Sequence, residues 1–376
     1  MAALFDDFRL ADATRTAWIF GAGASAPTPY NVPTQAAVLK HFVTMARPGP
    51  EVVQNKFDEL RERVKAHCKQ VLPGLAPDDP AVSLEEVFSA FELAARDPRS
   101  TREEVDQAQD AFDDLLQALR LSTYVFGRGD ALKWRPHTRN GIASPYAELV
   151  EKLVPAGAAG PVPHTFITFN YDVNLDRCLI NLRGSAANFD VDYGFALANS
   201  RCEGAPRFDP PDPMRSVLLL RTHGALNWIR CRACRSVFST LARQQEIPES
   251  LKCYACGKQR MDYVLVHPSY YRSYDDAILQ LVWGRTYEEL VRADRWVFIG
   301  YSLPPADVHF RELLRDALRV RRNGGLDTKV VLVGRGPEGS DGFNAGVRAY
   351  EAIFDTGLSV WRATPAGFSD FPSRVA

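Results

Sequence analysis

Cys231 and Cys234 form one CxxC pair, and Cys253 and Cys256 form a second after eighteen intervening residues. This spacing is that of a four-thiolate zinc site, in which two knuckles bring four sulfurs into a tetrahedron. Whatever else the chain does, residues 231 and 256 must then meet, so 229–262 reads as a small metal-held module. Four thiolates leave the metal no open position for water or substrate, which makes its expected role structural rather than catalytic. In a reducing compartment paired cysteines are ligands sooner than disulfides, and Cys68, Cys178 and Cys202 read as small apolar residues.

Around this module the chain alternates continuously apolar runs with helical spacing. TAWIF (16–20), HTFITF (164–169), SVLLLRT (216–222), YVLVH (263–267), RWVFIG (295–300), TKVVLVG (328–334) and LSVWRA (358–363) read as strands. Apolar strands separated by helices such as DDAILQLVWGRTYEELVRA describe a parallel sheet covered on both faces, a doubly wound, Rossmann-like α/β fold. From 51 to 152 the texture is helical: FDELRERVKAHCKQVL, SLEEVFSAFELAA, TREEVDQAQDAFDDLLQALRLSTYVF and SPYAELVEKLV. Ser83 with Glu86, and Thr101 with Glu104, are expected capping boxes. The domain reading is therefore Rossmann-like at 1–50, 153–228 and 263–376, with a helical insertion at 51–152 and the zinc module at 229–262.

The 376 residues carry 45 Lys and Arg against 46 Asp and Glu, so no overall attraction to nucleic acid or an anionic membrane is expected. No apolar stretch approaches a membrane span, and the amino terminus lacks a signal-peptide pattern; a cytoplasmic protein is expected. Arg230, Arg232 and Arg235 make the zinc module locally basic, the one feature that favours a nucleic-acid adaptor.

Three short motifs end strands, where open α/β sheets place their ligands. Gly21-Ala22-Gly23-Ala24-Ser25 opens a helix, and its glycines suit either a tight packing turn or a backbone that approaches a phosphate. No acidic residue lies between Ser25 and Glu51, so the carboxylate that grips ribose in nicotinamide dehydrogenases is missing. Thr168-Phe169-Asn170-Tyr171-Asp172 ends a second run, and there Asn170 or Asp172 would serve as a helix cap or face a ligand. His223-Gly224 ends a third. Gly300-Tyr301-Ser302-Leu303 follows a later strand, with Ser302 or Asp307 as possible caps. GRGPEGS (334–340) also fits a glycine-rich pattern but carries Pro337 and Glu338 where amides would be wanted.

Taken in order, GAGAS, TxNxD, His-Gly, CxxC eight residues after the histidine, the second CxxC and the GYSL turn resemble the sirtuin family of NAD-consuming enzymes. The resemblance covers 14–50 and 160–335. Three features depart from deacylating members. Asn31-Val32-Pro33-Thr34 stands where those carry Asp-Phe-Arg, and HPSYY (267–271) lacks the Phe-Gly-Glu stretch that grips an acylated peptide. Asn170 and His223 are also 53 residues apart, wider than usual. These features, with SLEEVFSAFE in a helical insertion, are similar to the prokaryotic branch that hydrolyses NAD, often in anti-phage defence.

The resemblance implies NAD as substrate, a structural zinc held by Cys231, Cys234, Cys253 and Cys256, and a set of site residues. Asn170 and His223 would be catalytic, and Asp172 would line the nicotinamide pocket. Gly21, Ala22, Gly23 and Ser25 would cradle the pyrophosphate, with Thr168, Gly300, Ser302, Leu303 and Gly334 near the nucleotide. The products would be nicotinamide and ADP-ribose. A protein-lysine deacylase and a module that senses NAD or ADP-ribose without turnover are the alternatives. A homo-oligomer and a partner ATPase or nuclease of a defence system are implied by resemblance alone.

Overall fold

The computed structural model describes residues 14–26, 32–34, 37–45, 51–125, 138–139, 142–154, 162–185, 190–205, 208, 211–212, 216–240, 251–259, 261–334, 341–354, 358–362, 368 and 371–374. Asn31 and 335–340 of the glycine-rich GRGPEGS stretch lie outside the described residues, as do 241–250 of the cysteine module.

In chain order the elements begin with β1 (Thr16–Phe20), α1 (Ala22–Ser25), α2 (Val38–Thr44), α3 (Glu51–Val71), α4 (Leu84–Arg96) and α5 (Arg102–Val125). A short hairpin, β2 (Thr138–Arg139) and β3 (Ile142–Ala143), precedes α6 (Pro145–Leu153), β4 (His164–Thr168), α7 (Asn174–Ser185), β5 (Asp190–Asp192) and β6 (Ser216–Arg221). β7 (Gly224–Cys231), β8 (Val237–Ser239) and β9 (Met261–Leu265) follow, then α8 (Ala277–Arg292), β10 (Arg295–Ile299), α9 (Val308–Asn323), β11 (Lys329–Gly334), α10 (Asp341–Glu351), β12 (Leu358–Arg362) and α11 (Phe371–Arg374).

Two compact units emerge. The first comprises 1–29, 134–265 and 275–376, and the second 30–133 with 266–274. α6 belongs to the first unit, where it packs on α7 and α11.

The first unit is built on a seven-stranded, wholly parallel sheet in the order β12-β11-β10-β1-β4-β6-β5. Every residue of β1, β4 and β10 is buried, as expected of strands covered on both faces; hence their sequences lack the alternation of a half-exposed strand. From β1 the chain builds outward through β4 and β6 on one side, and later through β10, β11 and β12 on the other. The order thus reverses between β1 and β10, and the turns after these two strands flank the crevice where doubly wound sheets bind ligands.

YVLVH does not join this sheet. Its strand, β9, runs antiparallel to β7, which also pairs with β8. The reason lies in the cysteines. Cys256 is five residues from Met261, and Met261 sits opposite Cys231, so bringing the two knuckles together lays β9 back along β7. A core of Ile229, Phe238, Leu251 and Met261, with Cys231 and Cys253, packs beneath the knuckles.

Gly224 makes the corner between the two sheets. It adopts φ +71°, and a Cβ there would lie 2.1 Å from the Val264 carbonyl oxygen, which only glycine avoids.

In the second unit α5 is packed by α2, α3 and α4. Phe42 meets Phe57 and Phe88 meets Phe112 edge-on. Asp114 of α5 accepts from Arg63 and His67 of α3. The expected capping box at Thr101 forms: the Thr101 amide donates to Glu104 at 2.7 Å, and the Glu104 amide to Thr101 Oγ1 at 3.3 Å. The one expected at Ser83 does not, because Ser83 makes no side-chain cap bond. In the same turn Glu85 accepts from Arg272. Among the described residues, no helix is long and apolar enough to cross a membrane.

Candidate functional site

The turns after β1 and β10 interlock through their backbones. The Gly23 amide donates to the Gly300 carbonyl at 2.8 Å, and the Gly21 amide to Ile299 at 3.0 Å. Gly300 adopts φ +59°, and a Cβ on it would lie 2.2 Å from the Ala24 nitrogen. Packing alone therefore demands these glycines, whether or not a phosphate approaches them.

Beside this turn lies a buried polar cluster. Ser25 Oγ is 2.9 Å from the Tyr146 phenol. The Asn170 carboxamide donates to the Gly21 carbonyl at 3.0 Å, to Ser25 Oγ at 3.2 Å and to Tyr146 at 3.4 Å. Burial, and next the charge of Asp172, hold the Tyr146 phenol well above its ordinary value, so it remains an O–H donor. Burial also raises the Asp172 carboxyl, against the Asn174 amide and Ser25 hydroxyl that donate to it. The bond from the Asn174 amide, at 3.0 Å, ties Asp172 to the first residue of α7.

Arg221, the last residue of β6, fixes the backbone that carries this cluster. It is fully buried, as is its ion-pair partner Asp176. Its Nη1 donates to Asp176, and its Nη2 donates to the carbonyls of Asn170 and Asp172, at 2.7 Å each. Tyr193 completes the pair with a 2.8 Å bond to Asp176. A buried charge is tolerated only when paired and hydrogen-bonded, and here those bonds also hold the turn after β4.

His223 lies two residues past Arg221, and Asn170 two past Thr168, its register partner on the adjacent strand. Successive residues of extended chain project to opposite sides. Accordingly Phe169 and Tyr171 carry their rings to His223, at centroid separations of 4.9 and 6.3 Å, while Asn170 turns to the glycine turn. Nε2 of His223 is 3.6 Å from Oδ1 of Asp307.

The structure thus gathers Gly21, Ser25, Asn170 and Asp172 into one cluster and sets His223 at the same end of the sheet, facing Asp307. The remaining expected residues are more dispersed. Thr168 is buried, its carbonyl accepting from the Thr222 amide and its hydroxyl from the Asn170 amide. Leu303 is buried at φ +51°, its carbonyl held by Arg311, whereas Ser302 is exposed. Gly334 ends β11, and Ala22 is exposed in α1. Asp307 begins α9 without capping it through its side chain; its carboxylate takes the Tyr301 hydroxyl instead. Tyr146, Arg221 and Asp176 are residues that the motifs did not announce, and the sequence marks Asp307 only as a possible helix cap. Of the first three, Arg221 alone left a signal, a charge inside an apolar run.

The four cysteine sulfurs lie within 4.8 Å of one another. Cys231 and Cys256 are 3.6 Å apart, and Cys234 and Cys253 3.5 Å. Disulfide sulfurs stand at about 2.05 Å, whereas a tetrahedral zinc with bonds of about 2.3 Å holds its sulfurs roughly 3.8 Å apart. The set fits zinc. Both knuckles use the same backbone device: the amides of Arg235 and Gly257, each in the left-handed region, donate to the carbonyls of Cys231 and Cys253. Arg230 and Arg232 are paired with Asp276 and Asp262, so the module is less basic than its sequence suggests.

No family model and no curated protein matches this sequence. Three solved structures illustrate what the chain is similar to. A structure concerned with the mechanism and regulation of Sir2 enzymes is 16% identical, with 96% of this chain and 92% of that one covered, at a TM-score of 0.38. A Sir2 homologue, S24A mutant, with ADP-ribose is 14% identical over 90% and 91%, at 0.37. One concerned with sirtuin substrate affinity is 14% identical over 97% and 93%, at 0.41. The fold rests on the strand order and register, not on these likenesses.

Proposed function

We propose that the chain hydrolyses NAD to nicotinamide and ADP-ribose. The observation that carries the reading is the polar cluster of Ser25, Asn170 and Asp172 beside the glycine turn, with His223 at the same end of the adjacent strand. Nicotinamide leaves a pyridinium as a neutral molecule, so the bond breaks without a general acid. What it needs is stabilisation of an oxocarbenium-like ribose and a placed water. Asn170 orients the ribose and the water, and Asp172 lines the nicotinamide pocket. The water oxygen bonds to the anomeric carbon, the electron pair of the broken bond stays on the nicotinamide nitrogen, and the water proton passes to His223. An imidazole, with an ordinary pKa near 6.5, suits that role. The four cysteines hold zinc structurally and take no part in the step.

One observation favours hydrolysis over deacylation. The 266–274 segment, where deacylating relatives by resemblance grip their peptide, is bonded along its length to α4. Ser269 donates to Glu92, the Tyr270 amide to Ser89 at 2.8 Å, and Arg272 to Glu85 at 2.6 Å. An added peptide strand would have to displace these bonds. A role in defence against phage, self-association and an ATPase or nuclease partner belong to the same reading through the sirtuin resemblance.

The test is incubation of the purified, zinc-loaded chain with NAD, with and without an acyl-lysine peptide. Nicotinamide and ADP-ribose in equal amounts without peptide support hydrolysis. Products that require the peptide indicate a deacylase, and binding without products indicates a sensor.

A further inference from the structure

We propose that Asp307 is the positioning residue for His223, holding the proton on Nε2 so that Nδ1 is the nitrogen offered as base. The catalytic meaning of this pairing rests on the hydrolysis reading above; the pairing itself does not.

The arrangement has three parts. First, both side chains are buried, with Nε2 of His223 and Oδ1 of Asp307 3.6 Å apart. Second, the carboxylate is itself held, because the Tyr301 hydroxyl donates to its other oxygen and the Tyr350 phenol donates to the Tyr301 carbonyl at 2.6 Å. Third, Phe169 joins the two sides, its ring stacked on Tyr301 at 4.3 Å and edge-on to His223 at 4.9 Å. Asp307 also begins α9, a sixteen-residue helix whose N-terminal dipole favours an anion.

A carboxylate facing one imidazole nitrogen favours the tautomer with its N–H there and stabilises the imidazolium. In the hydrolytic step the water proton would arrive on Nδ1, producing an imidazolium whose Nε2–H faces Asp307; that proton is later released to solvent. Among the described residues, His223 is also faced by Tyr171, and by Trp283 with His309 behind it. Arg221, two residues before His223, is turned to Asp176, and Asp172 is turned to Ser25.

The experiment measures nicotinamide release from NAD against pH for the full zinc-loaded chain, Asp307→Asn, Tyr301→Phe, His223→Ala and the Asp307→Asn/His223→Ala double variant. Asp307→Asn should lower kcat by about 10- to 100-fold with KM within about twofold of the original. Its acid limb should move about one pH unit lower, since removing the anion makes the imidazole easier to deprotonate. Tyr301→Phe, which keeps the carboxylate but loosens it, should move kcat in the same direction by less. The double variant should be no worse than His223→Ala. Unchanged kcat and acid limb in folded Asp307→Asn would overturn the proposal, as would a loss confined to KM, which would make Asp307 a substrate ligand. If the parent chain releases no nicotinamide, the hydrolysis reading fails. The pairing is then judged by the His223 imidazole titration in NMR: a lower pKa in Asp307→Asn upholds it, and an equal one refutes it.

Discussion

Tyr146 and Ser25, 121 residues apart, meet hydroxyl to hydroxyl at 2.9 Å in a buried position, and the Asn170 carboxamide points at both. Tyr146 therefore acts with Ser25 and the Gly21 carbonyl to keep Asn170 in one orientation beside the glycine turn. Its ring is packed in turn by Phe20 and Phe368, so a single oxygen can be removed without loss of shape. Tyr146→Phe is expected to cost about 1 kcal/mol of stability, the net worth of a typical hydrogen bond. The measurable consequence is in kcat for nicotinamide release, which should fall severalfold while the thermal midpoint drops by only a few degrees. Unchanged kcat would remove Tyr146 from the site.

The interlock of the turns after β1 and β10 gives a sharper prediction. Gly300→Ala adds a methyl 2.2 Å from the Ala24 nitrogen in a backbone conformation that L-residues avoid. Backbone cannot yield as a flexible side chain would, so a destabilisation on the order of 2 kcal/mol or more is expected. The turn that carries Ser25 would shift with it. Thermal unfolding and nicotinamide release should both suffer; a variant that keeps both would show that the turns do not touch.

What could be read along the chain was whatever depends on neighbours in sequence. The continuously apolar runs at 16–20, 164–168 and 295–299 announced buried parallel strands because each strand's own residues meet the layers above and below it. YVLVH looked the same locally, yet its partner was chosen by metal geometry, since Met261 must lie beside Cys231. The motifs placed Asn170, Asp172 and His223 just past the ends of strands, and these residues follow β4 and β6. The motifs did not reveal that Tyr146, Arg221 and Asp307 hold these residues, because each such contact spans 24 or more residues. Glycines in GAGAS fit two explanations in sequence, and the close approach of Gly300 supplies one that was invisible there.

Zinc should be inseparable from the fold of the small module. Cys253 is buried beneath the knuckle and shares its core with Ile229 and Phe238, so Cys253→Ser removes a ligand and puts a hydroxyl among apolar groups. Metal binding and folding are coupled in such modules. The variant is expected to lose its zinc, measured as metal per chain, and to become protease-sensitive within 224–265. A strong chelator should do the same to the parent chain. Retention of one zinc per chain by Cys253→Ser would show that the four sulfurs are not the ligand set.

Stability should also depend on acid through His164, the first residue of β4, whose imidazole packs edge-on against Trp18. Burial, and next the nearby Arg295 charge, lower its pKa to about 4 from 6.5. The sign follows from proton counting. Between pH 6.5 and 4 the unfolded chain binds a proton at this residue while the folded chain does not, so acid favours unfolding. Stability from this group is intact above pH 6.5 and is lost as pH falls toward 4. A shift of this size corresponds to about 3 kcal/mol at roughly 1.4 kcal/mol per pH unit. Denaturant unfolding at pH 7 and pH 4.5 should therefore differ more for the parent chain than for His164→Gln, which cannot charge. Equal pH slopes for the two would place the imidazole in contact with water.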